Sequence, residues 1–174
     1  MPSPIAHIAV GVAIGVVAKR KVDRSHPEQS GSLFILFVAL LGAVLPDFDA
    51  FVAIALGDFG KYHNNLTHSF LFAFVACVLL TGLLSFFSQL PKRTIFFVLA
   101  FACTIHLLMD TASVTRGVML FWPFTNERFV SPIPLFYGVR WSEGVFVWHH
   151  VMTLLTETIF AAVCIWFSMK KFKH

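Results

Sequence analysis

The chain has 174 residues, of which 57% are hydrophobic and only 13% are charged, and its mean hydropathy is +0.79. A soluble domain carries roughly 25% charged residues, so this composition argues against a water-soluble protein and predicts an integral membrane protein. The length fits a single domain over residues 1–174. The formal net charge of +4 does not indicate nucleic-acid binding, because most basic residues stand at the ends of apolar segments, so we expect no nucleic-acid partner.

Five apolar segments follow one another along the chain. They predict an all-α polytopic membrane protein with about five transmembrane helices. Pro46 ends the second segment, because a proline disfavours the helical conformation of the residue before it, and Thr67 is a good N-cap for the third. The segments are approximately residues 4–18, 33–45, 69–90, 94–110 and 145–169, and residues 51–56 predict a further short helix at the membrane surface.

The longest polar stretch, residues 111–144, lies between the fourth and fifth segments. A long loop inside a compact domain is often functional, so we expect an ordered loop that could cover a site as a lid. Its arginines could bind an anionic headgroup through bidentate contacts, or they could anchor the loop among lipid headgroups or lie in solvent. These candidate substrate-binding residues are Arg116, Arg128 and Arg140.

Three clusters of Lys and Arg predict the orientation in the membrane. They follow the first segment, precede the fourth and follow the fifth. With five spans all three clusters fall on one side, which the positive-inside rule assigns to the cytoplasm. We therefore expect the N-terminus outside, the C-terminus in the cytoplasm, and the other helix ends gathered at the outer face of a bacterial inner membrane.

Histidines and acids gather at the helix ends predicted for the outer face. A carboxylate near hydrocarbon is unfavourable, and such residues usually mark a functional site. His106 and Asp110 stand one helical turn apart and could hold the same divalent cation. The candidate metal ligands are His7, Asp47, His63, His68, His106 and Asp110, and the candidate general bases are Asp49 and Glu157.

Several of these residues have an alternative interpretation. His7 could be a polar anchor at the interface, His63 a solvated loop histidine, and Asp49 a helix cap. Glu157, inside the fifth segment, needs a partner, and it could be a deeper ligand, an acceptor for a ligating histidine or a base. A ligand set of His and carboxylate without cysteine favours zinc, with manganese or iron as alternatives, as one or two ions.

Five short motifs are spread over nearly the whole chain: Ala6-His7-x-x-x-Gly11, Leu45-Pro46-Asp47-Phe48-Asp49, Thr67-His68-Ser69, His106-Leu107-Leu108-Met109-Asp110 and Phe121-Trp122-Pro123-Phe124. Together they resemble the YdjM-type membrane-bound metal-dependent hydrolases, a LexA-regulated bacterial inner-membrane family. The resemblance implies a distant similarity to zinc-dependent phospholipase C and single-strand nucleases. It also implies metal roles for His7, Asp47, His68, His106 and Asp110. Family members often have a basic residue after the histidine of the third motif, whereas Asn64 follows His63 here.

Two functions of different classes fit these features. The first is a metal-dependent hydrolase acting on a phosphoester in a lipid or lipid-linked substrate, since paired metals can stabilise both the attacking and the leaving oxygen. The alternative is a non-catalytic protein that binds or transports a divalent metal. The ligands cluster at one end and no internal repeat is visible, which favours the hydrolase. The chain has neither His-Glu-x-x-His nor Gly-x-Ser-x-Gly, so a zincin-type protease or a serine hydrolase is not expected.

Overall fold

The computed structural model describes residues 1–25, 27, 33–58, 62–139 and 148–170 of the chain. Over these residues the regular structure is helical, which confirms the predicted all-α fold, and the β-type pairing is limited to two isolated bridges. Short 3-10 turns occupy Leu45–Phe48 and Leu66–His68. In chain order the helices are α1 (Pro4–Ser25), α2 (Phe34–Val44), α3 (Asp49–Ala55), α4 (Phe70–Leu84), α5 (Lys92–Thr111) and α6 (Trp148–Lys170).

The helices are long and apolar enough for a membrane protein. Three stretches satisfy the length and hydropathy of a membrane span: Phe34–Ala55, which joins α2 to α3, then Lys92–Thr111 and His150–Lys170. α4 is apolar but has only 15 residues, and at 1.5 Å per residue it covers about 22 Å of a hydrocarbon core of about 30 Å.

Two helix boundaries differ from those expected. α1 continues through the basic residues to Ser25, and within this extension Lys19 and Asp23 form an ion pair of 2.6 Å across one helical turn. The N-cap of α4 is Ser69, not Thr67, since the Ser69 hydroxyl accepts a hydrogen bond of 3.2 Å from the Phe72 N–H. The Thr67 hydroxyl bonds elsewhere, to a carboxylate described below.

α2 lies at the centre of the bundle, between α1 and α5, while α4 packs on α5 and α6 packs on α1. Glycines permit the close approach of these helices. A Cβ at Gly11 would lie 2.8 Å from the Ala43 Cβ, and one at Gly42 would lie 2.7 Å from the Leu99 carbonyl oxygen. Small residues that let helix backbones approach closely are typical of membrane helix interfaces.

The helix directions produce two different ends. The Arg20 guanidinium, near the end of α1, donates to the Ser168 carbonyl near the end of α6 at 2.6 Å, so these two helices run the same way. α5 runs opposite to α1, since its last turns meet the first turns of α1. We call the end holding Arg20, Lys92 and Lys170 the remote end, and the opposite end the site end.

The loop after α5 is ordered over residues 112–139 and folds against the site end. Ser113 pairs with Phe136, and Val118 pairs with Phe129, each as an isolated bridge. Val118 and Phe136 are buried in the cores formed with α4, α5 and α1. The predicted ordered loop is therefore confirmed for these residues, whereas Arg140 lies outside the described part of the chain.

Candidate metal centre

Four side chains from separate elements meet at the site end. The 3-10 turn after α2 supplies Asp47, the turn before α4 supplies His68, and the last two turns of α5 supply His106 and Asp110. Each contributes one ligand-type atom, and these atoms all lie within 4.8 Å of one another. Two imidazoles and two carboxylates at this spacing could bind a metal ion. We refer to these four residues as the Asp/His group.

The two histidines of the Asp/His group turn the same nitrogen toward the carboxylates. His68 Nε2 lies 3.1 Å from Asp110 Oδ2 and 3.5 Å from Asp47 Oδ1. His106 Nε2 lies 3.4 Å from the same Asp110 oxygen and 3.5 Å from the same Asp47 oxygen. The four side chains therefore converge on one point.

The converging atoms also lack other partners. Within the described residues, Asp47 Oδ1, the Nε2 atoms of His68 and His106, and both Asp110 carboxylate oxygens are buried without a hydrogen bond of normal geometry. Buried polar atoms are nearly always hydrogen-bonded, and leaving one unpaired is unfavourable. A divalent cation bound by one atom from each of the four residues would satisfy most of these atoms at once, so the residues present fit a metal ion.

Neighbouring groups hold both histidine rings. His106 Nδ1 donates to the Ala43 carbonyl oxygen of α2 at 2.7 Å, which leaves its Nε2 for the centre. His68 Nδ1 lies 3.0 Å from the Thr67 hydroxyl and 3.5 Å from Asp49 Oδ2. Ligating histidines in metalloproteins are commonly held in this way through the second ring nitrogen.

Asp49 lies behind this ring and organises the preceding turn. Its Oδ1 lies 2.5 Å from His63 Nδ1, and its Oδ2 accepts from the Asn64 N–H at 3.1 Å and from the Thr67 hydroxyl. Asn64 has a φ of +66°, in the left-handed region that Asn tolerates better than most residues. The structure thus brings Asp49 and His63 together beside the Asp/His group, and their predicted roles as base and ligand stay predictions.

His7 lies next to the Asp/His group. Its ring stacks on His106 with centroids 3.8 Å apart, and its Nε2 is 3.4 Å from Asp110 Oδ1. The ring is buried, and neither nitrogen has a hydrogen-bond partner of normal geometry in the described structure. His7 therefore points into the site and offers a further nitrogen donor on the far side of Asp110.

The carboxylates control the protonation of His68. Burial alone lowers the pKa of this imidazole, but Asp110, Asp47 and Asp49 raise it, and the net pKa is well above its usual value. Metal ions bind neutral imidazole and ionised carboxylate, so metal binding here would compete with protonation of His68.

The two described loop arginines hold the backbone of the histidine turn. Arg116 donates to the His63 carbonyl at 2.5 Å. Arg128 donates to the Gly117 carbonyl at 2.9 Å, to the Asn64 carbonyl at 3.3 Å and to Asn65 Oδ1 at 2.5 Å. Burial and the nearby Arg116 charge lower the pKa of the Arg128 guanidinium. The structure therefore places both arginines beside the site, with several of their donors bound to protein.

Glu157 lies apart from the Asp/His group. Its two carboxylate oxygens accept from the Ser3 N–H at 2.9 Å each, and the Ser3 hydroxyl donates to the same carboxylate. A buried glutamate in an apolar helix needs a hydrogen-bond partner, and Ser3 is that partner for Glu157. Its predicted role as a general base is not tested by this contact.

Sequence reasoning missed the groups that hold these side chains. The Ala43 carbonyl behind His106 is a backbone atom in an apolar helix and gives no signal in the sequence. Ser3 stands 154 residues from Glu157, so nothing local links them. The Asn64-Asn65 pair does have a signal, because consecutive asparagines between two histidines indicate a turn.

Comparison with known proteins agrees with this architecture. The model of the YdjM inner membrane protein family matches residues 1–174. Inner membrane protein YbcI of Escherichia coli (strain K12) is 34% identical over 140 residues, which covers 76% of this chain and 73% of that protein. No solved structure matches this chain significantly. With its apolar helices and a match along its whole length, the chain belongs to the YdjM inner membrane protein family.

Proposed function

We propose that this protein is a metal-dependent hydrolase that cleaves a phosphoester in a lipid or lipid-linked substrate within the membrane. The observation that carries this proposal is the convergence of one ligand atom from each of four residues in the Asp/His group, where the described structure leaves buried nitrogen and oxygen atoms without a hydrogen bond. In a purely structural network of hydrogen bonds, the buried donors and acceptors would be paired with one another. In the Asp/His group, several buried nitrogen and oxygen atoms have no hydrogen bond in the described structure. Ionisable residues at membrane depth normally serve a function.

The donor set supports zinc, with manganese or iron as alternatives. Imidazole and carboxylate without sulfur suit these ions. His7, beside Asp110 Oδ1, adds a donor that a second ion could use, which is why we propose one or two ions. When bound, a divalent ion supplies Lewis-acid activation of a phosphoryl group and of water.

The chain itself can supply acid–base chemistry through His63. Its Nδ1 is held by Asp49 at 2.5 Å, and this contact orients the ring for proton transfer. The residue also lines a cavity together with Asp47, so a substrate there would meet both side chains. In this arrangement His63 would be the general base, and Asp49 would orient its ring. Arg116 fixes the His63 backbone that carries this pair.

We further propose that the site end faces outward across the bacterial inner membrane, with the N-terminus outside and the C-terminus in the cytoplasm. The collection of Arg20, Lys92 and Lys170 at the remote end supports this orientation, because cytoplasmic helix ends are rich in Lys and Arg. A reporter at the C-terminus should read cytoplasmic, and one within residues 124–127 should read periplasmic. The reverse pattern would contradict the orientation without affecting the Asp/His group.

The hydrolase proposal is tested with purified protein reconstituted in lipid with zinc or manganese. Phospholipids and isoprenoid phosphates are screened for release of phosphate or of the phosphorylated headgroup. Wild-type protein and the Asp23→Asn variant, altered at the remote end, should cleave the same substrate, and Asp110→Asn should not. Absence of cleavage in all samples, together with metal movement down its gradient in proteoliposomes, would replace the hydrolase with a transporter.

A further inference from the structure

A cavity of about 620 Å³ adjoins the Asp/His group. This volume lies within the range of about 300–1,000 Å³ that is common for small-molecule pockets. The N-terminal segment forms one wall, and the turn before α3 with α3 itself forms another. The apolar residues that define these walls are Met1, Pro2, Pro4, Phe48, Phe51 and Ile54.

Two side chains with chemical function reach this cavity, Asp47 and His63. The Asp47 side chain is 22% exposed, whereas those of His68, His106 and Asp110 are 0% exposed. Among the members of the Asp/His group, Asp47 is therefore the one that a molecule can approach. Among the described residues, the cavity therefore leads to the Asp/His group at Asp47.

The rim of the cavity continues into the apolar outer surface of the helices. Phe51 is 69% exposed and Ile54 is 67% exposed. In a membrane protein such side chains contact lipid, so an apolar chain could pass from the bilayer into the cavity without crossing a polar barrier. A water-soluble phosphoester without an apolar chain has no group that would pack against these apolar walls.

We propose that the cavity receives the apolar chain of the substrate, with the chain beside Phe51 and the phosphoester beside Asp47 and His63. This inference rests on the proposed function and narrows its substrate to an amphiphile with a long apolar chain, either acyl or isoprenoid. Because the chain moves from one apolar surrounding to another, its van der Waals contacts with these walls determine how chain length affects affinity.

The N-terminal wall is fixed at two points. Ser3 is bound to Glu157 of α6 through its N–H, at 2.9 Å, and through its hydroxyl. The Met1 carbonyl accepts from the Val139 N–H at 2.8 Å. Gly138 allows this contact, since a Cβ there would lie 2.8 Å from the Met1 nitrogen. Glu157 is thus a positioning residue that holds one wall of the cavity.

The first test is photo-crosslinking of the zinc-loaded, full-length protein to alkyl and isoprenyl phosphates that carry a diazirine on the chain. Labelled peptides should map to residues 1–4 and 48–54. Ala50→Trp, which fills the cavity, should reduce labelling about tenfold, and Leu79→Trp on the exposed face of α4 should not. Unchanged labelling in Ala50→Trp would overturn the inference, and the two probes distinguish acyl from isoprenoid chains.

The second test separates the cavity from the chemistry. Glu157→Leu should raise KM for long-chain phosphoesters about tenfold, leave kcat nearly unchanged and leave short-chain kinetics unaltered, while Glu157→Gln should restore most of the long-chain KM. Equal effects on short and long chains would contradict the role of this wall. Specific labelling of the cavity without cleavage of any phosphoester would overturn the hydrolase proposal while supporting the chain-binding site.

Discussion

Charged side chains at the two ends of the helix bundle differ in their exposure to solvent and in their hydrogen-bond partners. At the remote end, Lys19 and Asp23 pair at 2.6 Å with side chains 25% and 26% exposed, so water and a counter-charge both stabilise them. At the site end, Asp110 is fully buried among histidines, and its oxygens have no normal hydrogen bond in the described structure. Charge at the remote end is stabilised by solvation and pairing, whereas the buried charges at the site end could be stabilised by a bound metal ion.

The ends also differ in how their side chains are held. At the site end, each ligating ring has a neighbour behind it, the Ala43 carbonyl for His106 and Thr67 with Asp49 for His68. At the remote end, the Lys19–Asp23 contact lies within one helix. Side chains held in this way are suited to bind a ligand in one geometry, which agrees with the proposed metal site at this end.

The largest expected effect comes from Asp110→Asn. The substitution keeps the shape of the side chain and removes the charge that faces both ligating histidines, so turnover of the lipid phosphoester should fall below detection. Circular dichroism and size-exclusion elution should remain those of the wild type, because the packing of the helix bundle is unchanged. Asp23→Asn is the matched control, with full activity expected. Comparable loss in both variants would remove the distinction between the two ends.

His63→Gln tests the acid–base proposal. Removal of a general base typically lowers the rate by about 10²–10⁴-fold, so kcat should fall within this range while metal content remains at the wild-type value. The measurement is steady-state cleavage together with elemental analysis of the same sample. A simultaneous loss of metal would instead assign His63 to the ligands, as the sequence first suggested.

Asp49→Asn should act through the rings that Asp49 contacts. Loss of a carboxylate behind a ligating histidine typically lowers metal affinity about 10–100-fold. A competition titration with a zinc-sensitive dye should detect this change, while Glu127→Gln in the exposed loop should leave the affinity unaltered. Wild-type affinity in Asp49→Asn would show that its contact with His68 has no influence on the metal centre.

Arg128→Ala should have a smaller effect, on stability. The guanidinium bonds to Gly117, Asn64 and Asn65 join the loop to the histidine turn, and because the group is partly exposed their loss should reduce stability by about 1 kcal/mol. Thermal unfolding in detergent measures this change, with Arg93→Ala at the remote end as the control. An equal decrease in both variants would contradict the bridging role of Arg128.

The smallest effect is expected for Lys19→Ala. A solvent-exposed pair one helical turn apart contributes about 0.3–0.5 kcal/mol, so the melting temperature should change little and metal binding not at all. Unfolding and zinc titration on the same preparation test both statements. A large loss of zinc affinity would show that the two ends are coupled through α1.

The sequence predicted the parts of this molecule that depend on the order of helices and their ends. Alternation of apolar segments brings His7, Asp47, His68 and Asp110 to one end, whatever the details of packing. It did not predict that α1 continues to Ser25. The apolar segment ends near residue 18, where basic residues begin, but basic residues alone do not end a helix.

Contacts between distant segments could not be predicted, because local sequence patterns do not show how loops and helices pack on one another. Arginines in a loop fit a headgroup site or a structural role equally well, and only the folded loop places Arg116 on the His63 carbonyl. Likewise Glu157 signalled a missing partner by its position in an apolar helix, but the identity of that partner, Ser3, depends on how α6 packs on α1.

The most direct test of the central claim is the metal content of the purified protein, by elemental analysis, in wild type and Asp110→Asn after identical exposure to zinc and removal of free ion. The account predicts one or two ions per wild-type chain, loss of most of that metal in Asp110→Asn, and a wild-type content in Asp23→Asn. A well-folded wild-type protein that takes up no zinc, manganese or iron, or an Asp110→Asn variant with undiminished metal, would contradict it.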